Sequence, residues 1–188
     1  MSLPSIREIA FSVAGAYRLA RFDLSGLAFL DLTARGAARS FWAAALLVPA
    51  YVAMVGLRGD LPAVIGIDRL ALEALGYVVG WCVFPVILSY LIQGLGVDNR
   101  YYAYLSAYNW SAVVQMSVYL PAVAIAQSGF LPADIGMGLV LGVTLAMLFY
   151  QWFIARATLG LSRLLSAALV LMDWVAAMTV NAAIDLAS

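Results

Sequence analysis

LLSAALVLMDWVAAMTVNAAI, residues 164–184, is a run of 21 residues whose only charged side chain is Asp173. A helix rises 1.5 Å per residue, so about 20 mostly apolar residues suffice to cross a hydrocarbon core of roughly 30 Å. The run is therefore read as a transmembrane helix. Four further runs of the same kind lie upstream, at residues 37–57, 72–97, 101–127 and 132–155. The connections between them are short and polar: 98–100 is Asp-Asn-Arg, 128–132 is Ser-Gly-Phe-Leu-Pro with Pro132 suited to a first helical position, and 156–163 holds two arginines. Residues 58–69, with Asp60, Pro62, Asp68 and Arg69, read as a loop. The expected fold is all-α, a polytopic bundle of five spans over residues 37–188, preceded by an N-terminal segment, 1–36, that does not cross.

Composition agrees. Of 188 residues 65% are hydrophobic and 11% charged, and the mean hydropathy is +0.99. A soluble domain of this length could not hide that much apolar surface in one core, so lipid must be the solvent for much of it. All ten basic residues are arginine, and there is no histidine. Net charge is zero, which gives no basic surface for nucleic acid. A single cysteine, Cys82, forms no internal disulfide and no cysteine cluster for a metal. Without histidine the usual zinc, haem and acid–base constellations are missing, so no cofactor is expected.

The N-terminal segment differs in pattern. From Ser5 to Arg21 the residues Ile6, Ile9, Ala10, Val13, Tyr17 and Ala20 recur at helical spacing, with Arg7, Arg18 and Arg21 elsewhere on the wheel. This predicts an amphipathic helix lying at the interface, its three arginines in contact with lipid headgroups. A connector, 23–36, follows with a short apolar piece at 27–32, and Arg39 at the start of the first span is placed to snorkel. With the N-terminus in the cytoplasm, eight arginines fall on the cytoplasmic side and only Arg58 and Arg69 on the other. The bias predicts N-in, C-out topology, and the all-arginine, Ala-, Gly-, Leu- and Val-rich composition points to a GC-rich bacterial genome and so to an inner membrane.

Asp173 is the conspicuous side chain. A carboxylate near the middle of a span costs about 2.5–3.5 kcal/mol on insertion scales, so something should justify it. Ser166, Val170, Ala177 and Asn181 share its helical face and would turn it toward the bundle. On the third span Ser106 and Asn109 lie on one face, while Tyr101, Tyr104, Tyr108, Ser111, Gln115 and Tyr119 follow an i, i+3, i+4 rhythm. Span four adds Thr144 and Gln151. Asp173, Asn109, Gln115, Gln151 and Asn181 thus form a candidate intramembrane polar site, with an interhelical strut as the other reading. Gly76 and Gly80, and Gly138 and Gly142, are GxxxG pairs expected to serve helix packing. Pro49, Pro85 and Pro121 fall inside spans one, two and three.

Two passages carry a resemblance. They are Asn99-Arg100-Tyr101-Tyr102-Ala103-Tyr104-Leu105-Ser106-Ala107-Tyr108, entering span three, and Ile154-Ala155-Arg156-Ala157-Thr158-Leu159-Gly160-Leu161-Ser162-Arg163, before span five. Together with a basic amphipathic lead and five closely spaced helices over residues 41–183, the layout resembles the Yip1-type family of five-span membrane proteins. Before span one this chain has Asp23-Leu24-Ser25-Gly26 where eukaryotic members carry Asp-Leu-Tyr-Gly-Pro. The resemblance implies a trafficking or membrane-organising role in eukaryotes and an inner-membrane protein in bacteria, and transfers no functional residue.

Two functions are expected from different classes. One is a non-enzymatic accessory subunit or organiser that binds lipid and a partner membrane complex, or a second copy of itself. The other is a small transporter or channel built around Asp173.

Overall fold

The structure is a computed structural model in which residues 3–57 and 66–187 are described. Among them are seven α-helices and no strand: α1 (Ile6–Ala20), α2 (Ala34–Ser40), α3 (Trp42–Leu57), α4 (Ile67–Leu95), α5 (Tyr101–Gln127), α6 (Ala133–Leu159) and α7 (Arg163–Ala187). Five segments are long and apolar enough to cross a membrane, α2 and α3 counting as one span of 24 residues. Most of the expected loop 58–69, including Arg58, lies outside the described residues; its last part is already helical from Ile67.

Local chemistry sets the helix ends. Ser5 accepts the Glu8 N–H at 3.1 Å and starts α1, and Thr33 accepts the Gly36 N–H at 3.2 Å. The Thr33 cap begins span one at Ala34, three residues before the expected 37. Gly96 adopts a left-handed φ of 66° and ends α4 two residues early. Gly160, at φ 67°, carries α6 four residues beyond the expected 155. There the Arg100 guanidinium donates to the Leu159 carbonyl at 3.0 Å, a cation on the negative end of α6. A Cβ at position 160 would meet only the mobile end of the Arg100 side chain, so it is the left-handed φ that favours glycine there. Pro132 is the N-cap of α6, with ψ 145°, and not its first helical residue.

The spans form a ring. α5 packs on α3 and on α6, α6 on α7, and α7 on α4. Side chains close the circle between α4 and α3: Tyr77 donates to the Ala44 carbonyl at 2.6 Å, and the Tyr51 and Tyr77 rings sit 4.5 Å apart. At one end of the ring the space is filled by Phe84, Leu88, Ile92, Tyr104, Trp110, Ile154, Leu159 and Leu169.

That filled end is wrapped by the N-terminal segment, which is not simply afloat in the headgroups. α1 docks on α5 through a small-residue face, Ser12, Gly15, Ala16 and Leu19, and Ile6 and Tyr17 of the expected apolar face are exposed. The turn that follows folds back closely on the same helix: a Cβ on Gly15 would stand 2.7 Å from the carbonyl oxygen of Gly26, in the 3-10 turn Leu24–Phe29. Tyr150 of α6 donates to the Ala16 carbonyl at 2.6 Å, nine residues or about 14 Å before α6 ends, so α1 lies on the flank of the bundle. Phe22 packs edge-on against Phe149 and Phe153 beside it. Arg39 does not snorkel: it pairs with Glu8 at 2.9 Å and ties α2 to α1.

Candidate functional site

Away from the filled end the ring is hollow. A cavity of about 450 Å³ lies between the spans and takes its lining from all five: Leu47 and Tyr51 of α3, Tyr77 and Trp81 of α4, Tyr108 and Gln115 of α5, Thr144 and Gln151 of α6, Asp173 and Asn181 of α7, among others. Its size falls within the range of small-molecule sites. On α7, Trp174, Ala177 and Asn181 line the cavity while being exposed, which makes this its least covered wall.

Asp173 reaches this cavity because Val170, Ala177 and Asn181 sit on its face, as the helical spacing predicts, and all of them line it. Its carboxylate accepts the Tyr108 hydroxyl, 2.9 Å from one oxygen and 3.0 Å from the other. Tyr108 is held from behind by Phe84, ring centroids 5.2 Å apart, and by Tyr104, stacked at 5.6 Å. The carboxylate thus spans the gap between α7 and α5 through one neutral donor. No arginine and no second carboxylate belongs to the described lining.

A hydroxyl–amide cluster lies alongside. Ser111 donates to the Tyr108 carbonyl at 2.6 Å and accepts from the amides of Gln115 at 3.0 Å and Gln151 at 3.2 Å. Both expected glutamines therefore join the site through one serine. Gln151 is only 8% exposed, and its carbonyl oxygen has no hydrogen-bond partner among the described residues. A buried acceptor of this kind is costly unless something donates to it. Thr144 spends its hydroxyl on its own helix, at the Val140 carbonyl.

Asn109 is not part of the site. It is fully buried and donates to the Ser40 hydroxyl at 2.8 Å, joining α5 to α2. One residue is 100° of helical turn, so Asn109 cannot share the direction of Tyr108. Of the glycine pairs, Gly76 alone takes part in close packing, with Ile184 of α7 against it; a Cβ on Gly80, Gly138 or Gly142 would meet no atom within 4 Å. Gly80 lines the cavity instead. All three N-terminal arginines, Arg7, Arg18 and Arg21, are exposed. Arg18 donates to Ser25 at 3.1 Å and stands 4.4 Å over the Phe29 ring, and Arg21 lies 6.0 Å from the Tyr17 ring.

Sequence reasoning missed the half of the cavity built by α3 and α4. Glu73, 7% exposed, accepts the Tyr51 hydroxyl at 2.7 Å, one turn from Gly76 and Tyr77 in the wall. The signal was present, since Glu73 is an acid inside the second apolar run and deserved the same question as Asp173. Tyr77 and Trp81 fall one and two turns after Glu73 on the same face, but aromatic residues are common in any span and the spacing by itself does not mark a cavity. No group of three or more metal-ligating side chains occurs among the described residues. Comparison with family models, with curated proteins and with solved structures finds no match for this chain.

Proposed function

We propose that this chain is a non-enzymatic membrane protein that takes a small solute into the cavity between its five spans, as a transporter or channel, with Asp173 holding the solute. One observation carries the reading. Side chains of all five spans converge on a single cavity, and its carboxylate is bonded by a tyrosine hydroxyl, a neutral partner that a ligand can displace. An acid that served only as a strut would be expected in a dry helix contact. The topology is proposed as N-in and C-out, supported by the arginine distribution, which reporter fusions at each loop would check, and the membrane as a bacterial inner membrane, supported by the all-arginine composition. The Yip1-type resemblance shares the five-span layout with this reading and supplies no site residue to it.

In the other reading, an accessory subunit or organiser bound to a partner complex or to a second copy, the cavity is a void that no solute enters. Cysteine accessibility separates the two. In a Cys82→Ser background, cysteines placed at Ala112, Gln115 and Ala177, all in the lining, are treated with a charged, membrane-impermeant thiol reagent from each side. Leu145→Cys, an exposed position outside the lining, is the lipid-facing control. Modification of the lining cysteines from at least one side supports solute entry. Lining cysteines as silent as position 145 would sink it in favour of the organiser.

A further inference from the structure

We infer that the ligand of this cavity is an organic ammonium ion, a single positive charge on an apolar or aromatic frame. The inference rests on the solute-binding reading and names the class of solute. Its basis is the chemistry of the wall. Asp173 supplies a carboxylate, and no arginine in the described lining opposes it. The same lining carries aromatic side chains, among them Tyr51, Tyr77, Trp81, Phe84, Tyr108 and Trp174, with Tyr108 bonded to Asp173. Aromatic faces attract cations through the ring quadrupole, most strongly where water is excluded.

Other ligand classes fit less well. An anion would meet Asp173 with no counter-charge in the described lining. A bare metal ion needs several oxygen ligands at short range, and a cavity of about 450 Å³ with one carboxylate is too large and too apolar to wrap it. A neutral apolar molecule would leave the carboxylate without a charge partner and the Gln151 carbonyl oxygen without a donor. An ammonium ion answers both: its charge faces Asp173, the N–H or polarised N–CH groups around its nitrogen lie against acceptors, and its carbon frame lies against the rings. To enter the carboxylate's reach it displaces the Tyr108 hydroxyl, which now occupies both oxygens.

The test is equilibrium dialysis of labelled benzyltrimethylammonium against the full chain in nanodiscs of uncharged lipid, with empty discs as background. The expected result is saturable binding that unlabelled phenyltrimethylammonium competes away. Benzenesulfonate, and 3,3-dimethylbutan-1-ol tested beside its isostere choline, should compete far less. Asp173→Asn and Trp81→Leu should each weaken binding, the first by about tenfold or more. Tyr108→Phe keeps the carboxylate and removes its resident donor, so it should bind as tightly as the parent or more so. This variant and Trp81→Leu carry the test if Asp173→Asn is not recovered as a monodisperse protein. Binding unchanged by Asp173→Asn, or equal competition by the alcohol and choline, overturns the cationic assignment. Absent binding overturns it as well, and the cysteine accessibilities then show which claim has failed. Reactive lining cysteines leave a solute cavity of another chemistry, whereas silent ones remove the cavity reading too.

Discussion

Helix α6 passes through two different surroundings, and the contrast between them divides the molecule. In its last third Tyr150, Gln151, Ile154, Ala155, Thr158 and Leu159 are buried; before that, Gly136 is its one buried residue, set against Ala126 of α5. α7 repeats the pattern from its other end, with Ser166, Leu169 and Val170 buried and no residue buried after them. The packed half is the one that α1, the 3-10 turn and α2 wrap from outside. There Phe84 and Tyr104 fill the gap between α4 and α5. In the other half α5 still meets α6 at Gly136 and α4 meets α7 at Gly76, but the cavity lies between these pairs, and Tyr108 reaches from α5 to Asp173 of α7. The difference teaches where stability and ligand access reside: close packing at one end fixes the ring, so the other end can stay hollow and still hold Asp173, Gln115 and Gln151 in position.

The largest expected effect comes from making the same kind of truncation in each half of one helix. Ile154→Ala removes a side chain that is 0% exposed, and should cost about 2–4 kcal/mol by lost contacts and a cavity that cannot collapse. Leu148→Ala, in the cavity wall, merely enlarges an existing space and should cost less than about 1 kcal/mol. Thermal unfolding followed by size-exclusion in detergent reads both. Equal losses would mean that the two halves are not distinct.

A smaller effect tests the wrapping layer. Arg39 and Glu8 pair at 2.9 Å with both side chains about a fifth exposed, at 18% and 25%. Such a pair is screened in part, and a double-mutant cycle with Arg39→Ala and Glu8→Ala should return a coupling of about 0.5–1 kcal/mol. Protease cleavage between α1 and α2 should rise in either single variant and rise little further in the double. Strict additivity would show that the pair does not fasten α1.

The smallest effect depends on pH. The Thr33 hydroxyl and N–H both donate to Asp31, at 2.7 and 3.0 Å, and hold its carboxyl below the usual aspartate value, opposed by partial burial. A depressed folded value means that the contribution is present above the unfolded pKa and is lost as pH falls through the folded one. Asp23 behaves alike through Ser25, at 2.8 Å. The start of α2, monitored by hydrogen exchange at Gly36, should therefore loosen only under strongly acid conditions. Asp31→Asn should loosen it at neutral pH and flatten the acid response, and an unchanged response would refute the assignment.

The spans were legible because a bilayer demands length and apolarity, which residues 164–184 display without any partner. Helix ends were legible within a few residues and wrong where a cap decided them, as at Thr33, Gly96 and Gly160. Asp173 stood out for its cost in lipid, and its face followed from helical period alone. Asn109 was misjudged, because one residue of rotation turns it from the cavity to Ser40, and no pattern in α5 says which face meets which neighbour. Glu73 shares a face with Tyr77 and Trp81, but the partner that explains it, Tyr51, lies on another helix, and no spacing in the sequence shows that pairing.

What the chain determined unaided is therefore one-dimensional: how many segments can cross, where each begins and ends to within about a turn and a half, and which face of α7 carries the acid. Hydrophobic length and helical period are properties of a segment by itself. Tertiary structure alone decided that α1 grips the bundle through Ala16 and Leu19, that Tyr108 and no charged residue meets Asp173, and that the ring is solid at one end and hollow at the other. Those outcomes depend on how closely pairs of helices approach, and that distance is set jointly by side chains far apart in sequence.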